Sequence, residues 1–214
     1  MSKTILFQGD SITDAFRSYE NDDYPGSGYA TMVKGELGLK YPNEYKFYNR
    51  GVSGNRILDV YARIKCDILN LKPDYMSILI GVNDIWHEIS SGNGVPADRF
   101  YKVYKMLLED VIKEFPDIKI MILEPFVLEG IATCNIPEIP DRLETFKKGV
   151  RERAKIAKEI AKEFNLPFIK LQEKFDEALK SAPADYWLID GVHPTSMGHT
   201  LIKNEWIKEF NKIK

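Results

Sequence analysis

The chain predicts an α/β fold, a three-layer αβα sandwich around a five-stranded parallel sheet. Three observations predict it. Strand-like apolar runs alternate with helix-like amphipathic segments over the whole length. The runs at 75–80 and 118–123 are nearly continuous in apolar residues, as in strands covered on both faces. Each run is separated from the next by enough residues for a crossover helix, which is what parallel neighbours require. The sequence has no internal repeat, low-complexity tract or interdomain linker. Its 214 residues suit a single domain, 1–214, with one well-filled sandwich.

The elements follow in order. Residues 4–8 form a short apolar strand that ends at Gly9. Residues 29–39 place Tyr29, Met32, Val33 and Leu37 at helical spacing and stop near Gly38. Residues 45–49, rich in aromatics, form the second strand. Residues 57–71 are read as one helix with Ile57, Val60, Tyr61, Ile64 and Ile68 on one face, ended by Pro73. The third strand is 75–80. A long amphipathic helix over 96–115 has Asp98 near its start and Pro116 after it, and the fourth strand is 118–123. The stretch 124–140 holds three prolines and little periodicity, so it is a loop, placed by this reading over the site. Residues 141–164 form a charged helix with Phe146, Val150, Ala154, Ala157 and Ala161 inward. Residues 167–171 make the fifth strand, 173–181 a helix, and 195–212 the closing helix.

Composition narrows the function classes. Apolar residues at 44% and charged residues at 29% are those of an ordinary globular protein, which sets disorder aside. A net charge of −2 and the lack of a basic run argue against nucleic acid as partner. No apolar stretch reaches bilayer length, and residues 1–7 lack a signal-peptide core, so the expectation is a cytoplasmic protein with no membrane partner. Cys66 and Cys134 fall in no CxxC spacing and, with His87, His193 and His199, form no metal signature. No metal and no organic cofactor is expected.

Four short motifs carry the chemistry: Gly9-Asp10-Ser11, Ser53-Gly54, Gly81-Val82-Asn83-Asp84 and Asp190-Gly191-Val192-His193. The first three follow the first three strands, and ligands of parallel sheets bind at the carboxyl ends of strands. Ser11 is a candidate nucleophile, His193 its base, and Asp190 the acid that orients the imidazole. Asp190 and His193 lie three residues apart on one loop, so they can meet without distant structure. Each motif has a plain structural alternative: a helix N-cap at Asp10–Thr13, a turn glycine at Gly54, a loop-capping side chain at Asn83 and a surface turn at 190–193. The four together, in this order, favour the site.

The set resembles the GDSL esterases, the SGNH hydrolase family, and the match runs from residue 9 to residue 193. The resemblance implies a flavodoxin-like sheet and an oxyanion hole built from the Ser11 N–H, the Gly54 N–H and the Asn83 side-chain amide. The fuller run Gly-Asp-Ser-Ile-Thr-Asp, Ser-Gly-Asn, Ile-Gly-Val-Asn-Asp-Ile-Trp and Val-His-Pro is similar to the intracellular branch that includes acetyl-xylooligosaccharide esterases. It therefore implies a serine esterase acting on small acyl esters, with acetyl groups on xylo-oligosaccharides or related sugars as substrate. Some members of that branch form ring-like oligomers, which leaves a homo-oligomer open here. Residues 185–191 differ from the acetylxylan-type members. The alternatives are a cytosolic lysophospholipase or thioesterase of the same family, an acyltransferase, and a non-catalytic sugar-binding module.

Further residues are weaker candidates. Asn55 and Arg56 follow the oxyanion glycine and are expected to touch substrate, with a structural salt bridge the alternative for Arg56. Trp86 and His87 follow Asn83 and are candidates to wall the pocket, with a partly buried core aromatic the stronger reading for Trp86; Trp187 is a candidate for its acyl or sugar side. Glu124 and Phe126 end the fourth strand at the same edge. His199 is read as a packing histidine, and Asp10 and Asp84 as parts of loop structure, since carboxylates beside a developing oxyanion would oppose it.

Overall fold

A computed structural model describes residues 2–214. Five strands, β1 (Lys3–Gly9), β2 (Tyr45–Asn49), β3 (Tyr75–Leu79), β4 (Lys119–Leu123) and β5 (Phe168–Ile169), form one sheet in the order β2-β1-β3-β4-β5. All four pairings are parallel. The order reverses at β1 and β3, a topological switch point that opens a crevice at the carboxyl edge.

Ten α-helices and a 3₁₀ turn connect the strands among the described residues: α1 (Ser11–Asp14), α2 (Tyr29–Lys40), α3 (Ile57–Ala62), α4 (Ile64–Asp67), the turn Leu69–Leu71, α5 (Asn83–Ser91), α6 (Ala97–Glu114), α7 (Arg142–Glu163), α8 (Gln172–Ala178), α9 (Ala184–Trp187) and α10 (Ser196–Ile213). Strand alternation divides the interior. Ile5, Phe7, Leu79, Met121 and Leu123 pack on one side with Tyr29, Val33 and Leu37 of α2 and Ile202, Trp206 and Phe210 of α10. Leu6, Met76, Ile78, Ile120 and Ile122 pack on the other with Ile57 and Val60 of α3, Phe100, Tyr104 and Leu107 of α6 and Ala157 and Ile160 of α7. The sheet is covered on both faces, giving three layers.

The single helix expected over 57–71 is broken. It ends at Arg63, whose backbone leaves helical values (φ −107°, ψ 13°), and resumes as α4 and the 3₁₀ turn. Past the break, Ile64, Leu69 and Leu71 are only half-buried, so the apolar spacing continues without a continuous helix beneath it. The helix α5, which the sequence reading leaves unassigned, starts at Asn83 and ends at the left-handed Gly92. The fifth strand is shorter than expected: two residues, Phe168 and Ile169, which pair with Ile122 and Leu123 of β4.

Candidate active site

Each motif is carried to the carboxyl edge by a local device. β1 stops at Gly9, and the Asp10 side chain accepts the N–H of Ile12 at 3.0 Å, capping α1 so that Ser11 opens its first turn. The Ser11 N–H therefore has no partner within the helix. Gly54, in the loop after β2, holds φ at +82°, a conformation most residues avoid, and the nearest group to the space a Cβ would fill is His87 Nε2 at 3.9 Å. Asn83 opens α5. The 190–193 loop sits between α9 and α10.

The structure brings Ser11, His193 and Asp190 into one line. Ser11 Oγ lies 2.9 Å from His193 Nε2, and His193 Nδ1 lies 2.7 Å from Asp190 Oδ2. The other carboxylate oxygen, Asp190 Oδ1, accepts the N–H groups of Val192 and His193 at 2.9 and 2.8 Å. Burial works against the Asp190 charge, yet the His193 ring and these two N–H groups outweigh it and bring its pKa down to about 2. In return the hydrogen bond that His193 donates to Asp190 raises the His193 pKa above its ordinary value, against partial burial. The arrangement poises an imidazole beside a hydroxyl with its tautomer set by a carboxylate.

Asn83 and Gly54 border the same spot. Asn83 Nδ2 donates to the Asn55 carbonyl at 3.1 Å, which orients the amide and leaves its second N–H free to point elsewhere. Asn55 itself is buried and contributes that carbonyl, while its side chain lines neither cleft. Arg56 is directed away: it pairs with Asp59 at 2.9 Å and donates to the Asn93 carbonyl at 2.7 Å. Asp10 and Asp84 are buried, and burial raises both to a pKa of about 7; Asp84 Oδ1 accepts the Ile57 N–H at 3.2 Å, tying α5 to α3.

Two clefts meet at Ser11, Ser53 and His193. The smaller, about 320 Å³, is lined by Gly54, Asn83, Trp86 and His87. Trp86 stands edge-on to Phe146 and its ring centre is 5.8 Å from that of His193, so it belongs at once to the core and to the cleft wall. The larger, about 860 Å³, is lined by Phe16, Arg17, Tyr19, Ile189 and His199 among others. Trp187 lies outside both. Its indole packs on the core, with Nε1 buried, and the neighbouring Ile189, 64% exposed, takes the rim instead.

Three contributions were not legible in the sequence. Asp14 Oδ2 accepts from the Ser53 N–H, the Ser53 hydroxyl and the Tyr19 hydroxyl at 3.0, 2.9 and 2.6 Å, anchoring the loop that carries Gly54. The 124–140 segment borders neither cleft. It lies behind the 190–193 loop: Leu128 N–H and Ala132 N–H donate to the carbonyls of Gly191 and Asp190, both at 2.9 Å. Gly191, at φ +98°, sits so close that an added Cβ would stand 2.6 Å from Thr133 Oγ1. Thr13, in the Gly-Asp-Ser-Ile-Thr-Asp run, joins its hydroxyl to Tyr29 at 3.0 Å and fixes α1 to α2. Glu124 accepts the N–H groups of Leu171 and Gln172, and Phe126 is core. Among the described residues no three His, Cys, Asp or Glu side chains are grouped to hold a metal, and no helix is long and apolar enough to cross a membrane.

Known proteins resemble this chain over most of its length. Residues 7–201 match the GDSL-like Lipase/Acylhydrolase family. An acetylxylan esterase from Geobacillus stearothermophilus is 30% identical over 212 residues, covering 96% of this chain and 92% of that protein. The structure of a GDSL-like lipase candidate from Parabacteroides merdae superposes with a TM-score of 0.89 at 36% identity, over 100% of this chain and 98% of the other. A mutant of Axe2, an acetyl-xylooligosaccharide esterase from Geobacillus stearothermophilus, superposes at 0.82 with 31% identity over 97% and 93%.

Proposed function

Because the chain belongs to the GDSL-like lipase/acylhydrolase family and is a carboxylic ester hydrolase, we propose that it removes acetyl groups from xylo-oligosaccharides or related sugars through an acyl-enzyme on Ser11. The observation that carries the reading is the unbroken line from Asp190 through His193 to the Ser11 hydroxyl, at 2.7 and 2.9 Å.

In this reading His193 takes the Ser11 proton as Oγ attacks the ester carbon. The carbonyl oxygen gains charge between the Ser11 N–H, the Gly54 N–H and the Asn83 amide, each such donor lowering the barrier by about 3 kcal/mol. His193, now charged and held by Asp190, returns the proton to the departing alcohol. It next takes a proton from water as the water attacks the acetyl-Ser11 ester, and returns that proton to Ser11 Oγ as acetate leaves. The chain's own side chains supply every proton transfer. The small cleft beside Gly54 and Asn83, lined by Trp86 and His87, suits a short acyl group. The chain acts as one domain over 1–214, in the cytoplasm, where free thiols such as Cys66 and Cys134 stay reduced.

The test is an acyl series, acetyl through octanoyl esters, run beside acetylated xylo-oligosaccharides with Ser11→Ala protein as blank. Acetyl preference with acetate released from the sugars supports the reading. Preference for long chains with the sugars untouched would move the protein to lipid or thioester substrates.

A further inference from the structure

Resting on that esterase reading, we propose that the cleft of about 860 Å³ is the alcohol-side subsite and takes a sugar ring, with Phe16 as stacking platform and His199 as hydrogen-bond donor.

The two clefts divide the ester at Ser11. The carbonyl oxygen must lie by Gly54 and Asn83, which border only the smaller cleft, while the leaving oxygen must lie within reach of His193. Asp190, Pro194 and His199 border only the larger one, so the alcohol extends there.

Phe16 is 95% exposed and lines this cleft. Its backbone is left-handed (φ 63°), directly after a left-handed Ala15 (φ 41°). Two successive non-glycine residues in that region are costly, and such strain gathers at functional sites. The surroundings enforce it: the Ala15 carbonyl accepts from both the N–H and the hydroxyl of Ser27, at 2.7 and 3.1 Å. The outcome is a bare aromatic face on a braced turn. The neighbouring Tyr19 ring is already covered by the Arg17 guanidinium, 3.9 Å from its centre, which leaves Phe16 as the open face. A flat apolar face suits the C–H side of a pyranose ring, as aromatic walls suit other ring ligands.

His199 supplies the polar half. Its Nδ1 accepts the Tyr29 N–H at 3.2 Å, so the single ring proton is on Nε2. Nε2 has no acceptor among the described residues and is not sealed from the cleft that the ring lines. Burial, and then the nearby His193, push the His199 pKa down to about 4, which keeps the ring neutral. A neutral donor of fixed tautomer matches a hydroxyl or ring oxygen. A fatty chain in the same place would leave it unpaired.

Xylobiose, which carries the sugar and no ester, is the probe. It is tested as an inhibitor of 4-nitrophenyl acetate hydrolysis and by calorimetric binding to Ser11→Ala protein. Competitive inhibition, weakened about tenfold by Phe16→Ala, is expected, since a lost ring contact is worth that order of magnitude. On acetylated xylosides the same variant should raise KM more than it lowers kcat, and Leu39→Ala, exposed and outside the cleft, should change nothing. For His199, ¹⁵N NMR at neutral pH should show a protonated Nε2 and a bare Nδ1, with Nε2 shifting when xylobiose is added. Absence of inhibition and binding, an unchanged inhibition constant in Phe16→Ala, or a proton on Nδ1 overturns the subsite. Ester turnover surviving in Ser11→Ala instead overturns the esterase reading itself, so the two failures are distinct.

Discussion

Asp14 takes both hydrogen bonds that Ser53 can donate, from its N–H at 3.0 Å and its hydroxyl at 2.9 Å, with a single carboxylate oxygen. The two residues are 39 apart in sequence. One belongs to the helical turn that presents Ser11, the other to the loop that presents Gly54, so the bond fixes that turn against that loop. Asp14→Ala should lower kcat by roughly 10- to 100-fold with KM changed little, because a donor misplaced by a fraction of an ångström fails mainly in the transition state. Ser53→Ala, which keeps the N–H bond, should cost less. Steady-state kinetics on an acetyl ester decides; a rise confined to KM would refute the role.

The pH profile should have an acidic limb set by His193. Only the neutral ring can accept the Ser11 proton, so kcat/KM should be full at high pH and fall as pH drops through a pKa raised above the ordinary histidine value. Asp190→Asn removes the largest cause of that rise. It should move the limb to lower pH and reduce kcat by roughly 10³- to 10⁴-fold, since the tautomer is no longer enforced. A limb that stays in place would show that Asp190 does not set the His193 pKa.

Asp84 should make stability depend on pH in an unusual direction for a carboxylate. Its folded pKa of about 7 lies above the unfolded value of 3.8, so folding favours the protonated form. That contribution is full below the unfolded value and is lost as pH rises towards and through 7. Asp84→Asn keeps the oxygen that accepts the Ile57 N–H and removes the titration. The difference in melting temperature, variant minus parent, should become more favourable to the variant by about 1–3 kcal/mol equivalent between pH 5 and pH 8. Thermal melts at the two pH values test it, and a pH-independent difference would sink the claim.

Trp86 should limit the acyl group. It lines the cleft shared by Gly54 and Asn83 and is braced edge-on by Phe146 at 5.7 Å. Trp86→Ala should widen that cleft, lowering the acetyl rate a few-fold and raising the hexanoyl-to-acetyl ratio by about tenfold, as one or two methylenes are worth in an apolar pocket. An unchanged ratio would place the acyl group elsewhere.

Gly191→Ala should injure both stability and turnover. The new methyl would meet Thr133 Oγ1 at 2.6 Å and hold a residue with a Cβ at φ +98°. The strain falls on the contact by which the 124–140 segment supports Asp190. A loss of about 1–3 kcal/mol in denaturant unfolding is expected, with kcat reduced. Full stability in the variant would show that the segment gives way without cost.

The sequence by itself determined the sheet, its parallel strands and three of the four motifs at its edge; the fold had to bring the fourth, 190–193, back to Ser11. Continuous apolar runs and helical faces are local patterns, and residues such as Ile78, Ile122 and Phe146 announce their burial within a few neighbours. Asp190 and His193 were legible as a pair for the same reason: three residues on one loop are enough to bring them together. Only the tertiary structure decided which tryptophan reaches a cleft. Trp86 and Trp187 each stand close to a motif residue, but α5 turns one towards His193 while packing buries the indole nitrogen of the other. It also decided that 57–71 breaks at Arg63, that 124–140 supports the acid loop from behind, and that Asp14 holds Ser53. Each of these depends on hydrogen bonds or packing between segments far apart in the chain. Such contacts are set by how layers dock, and local periodicity carries no record of that.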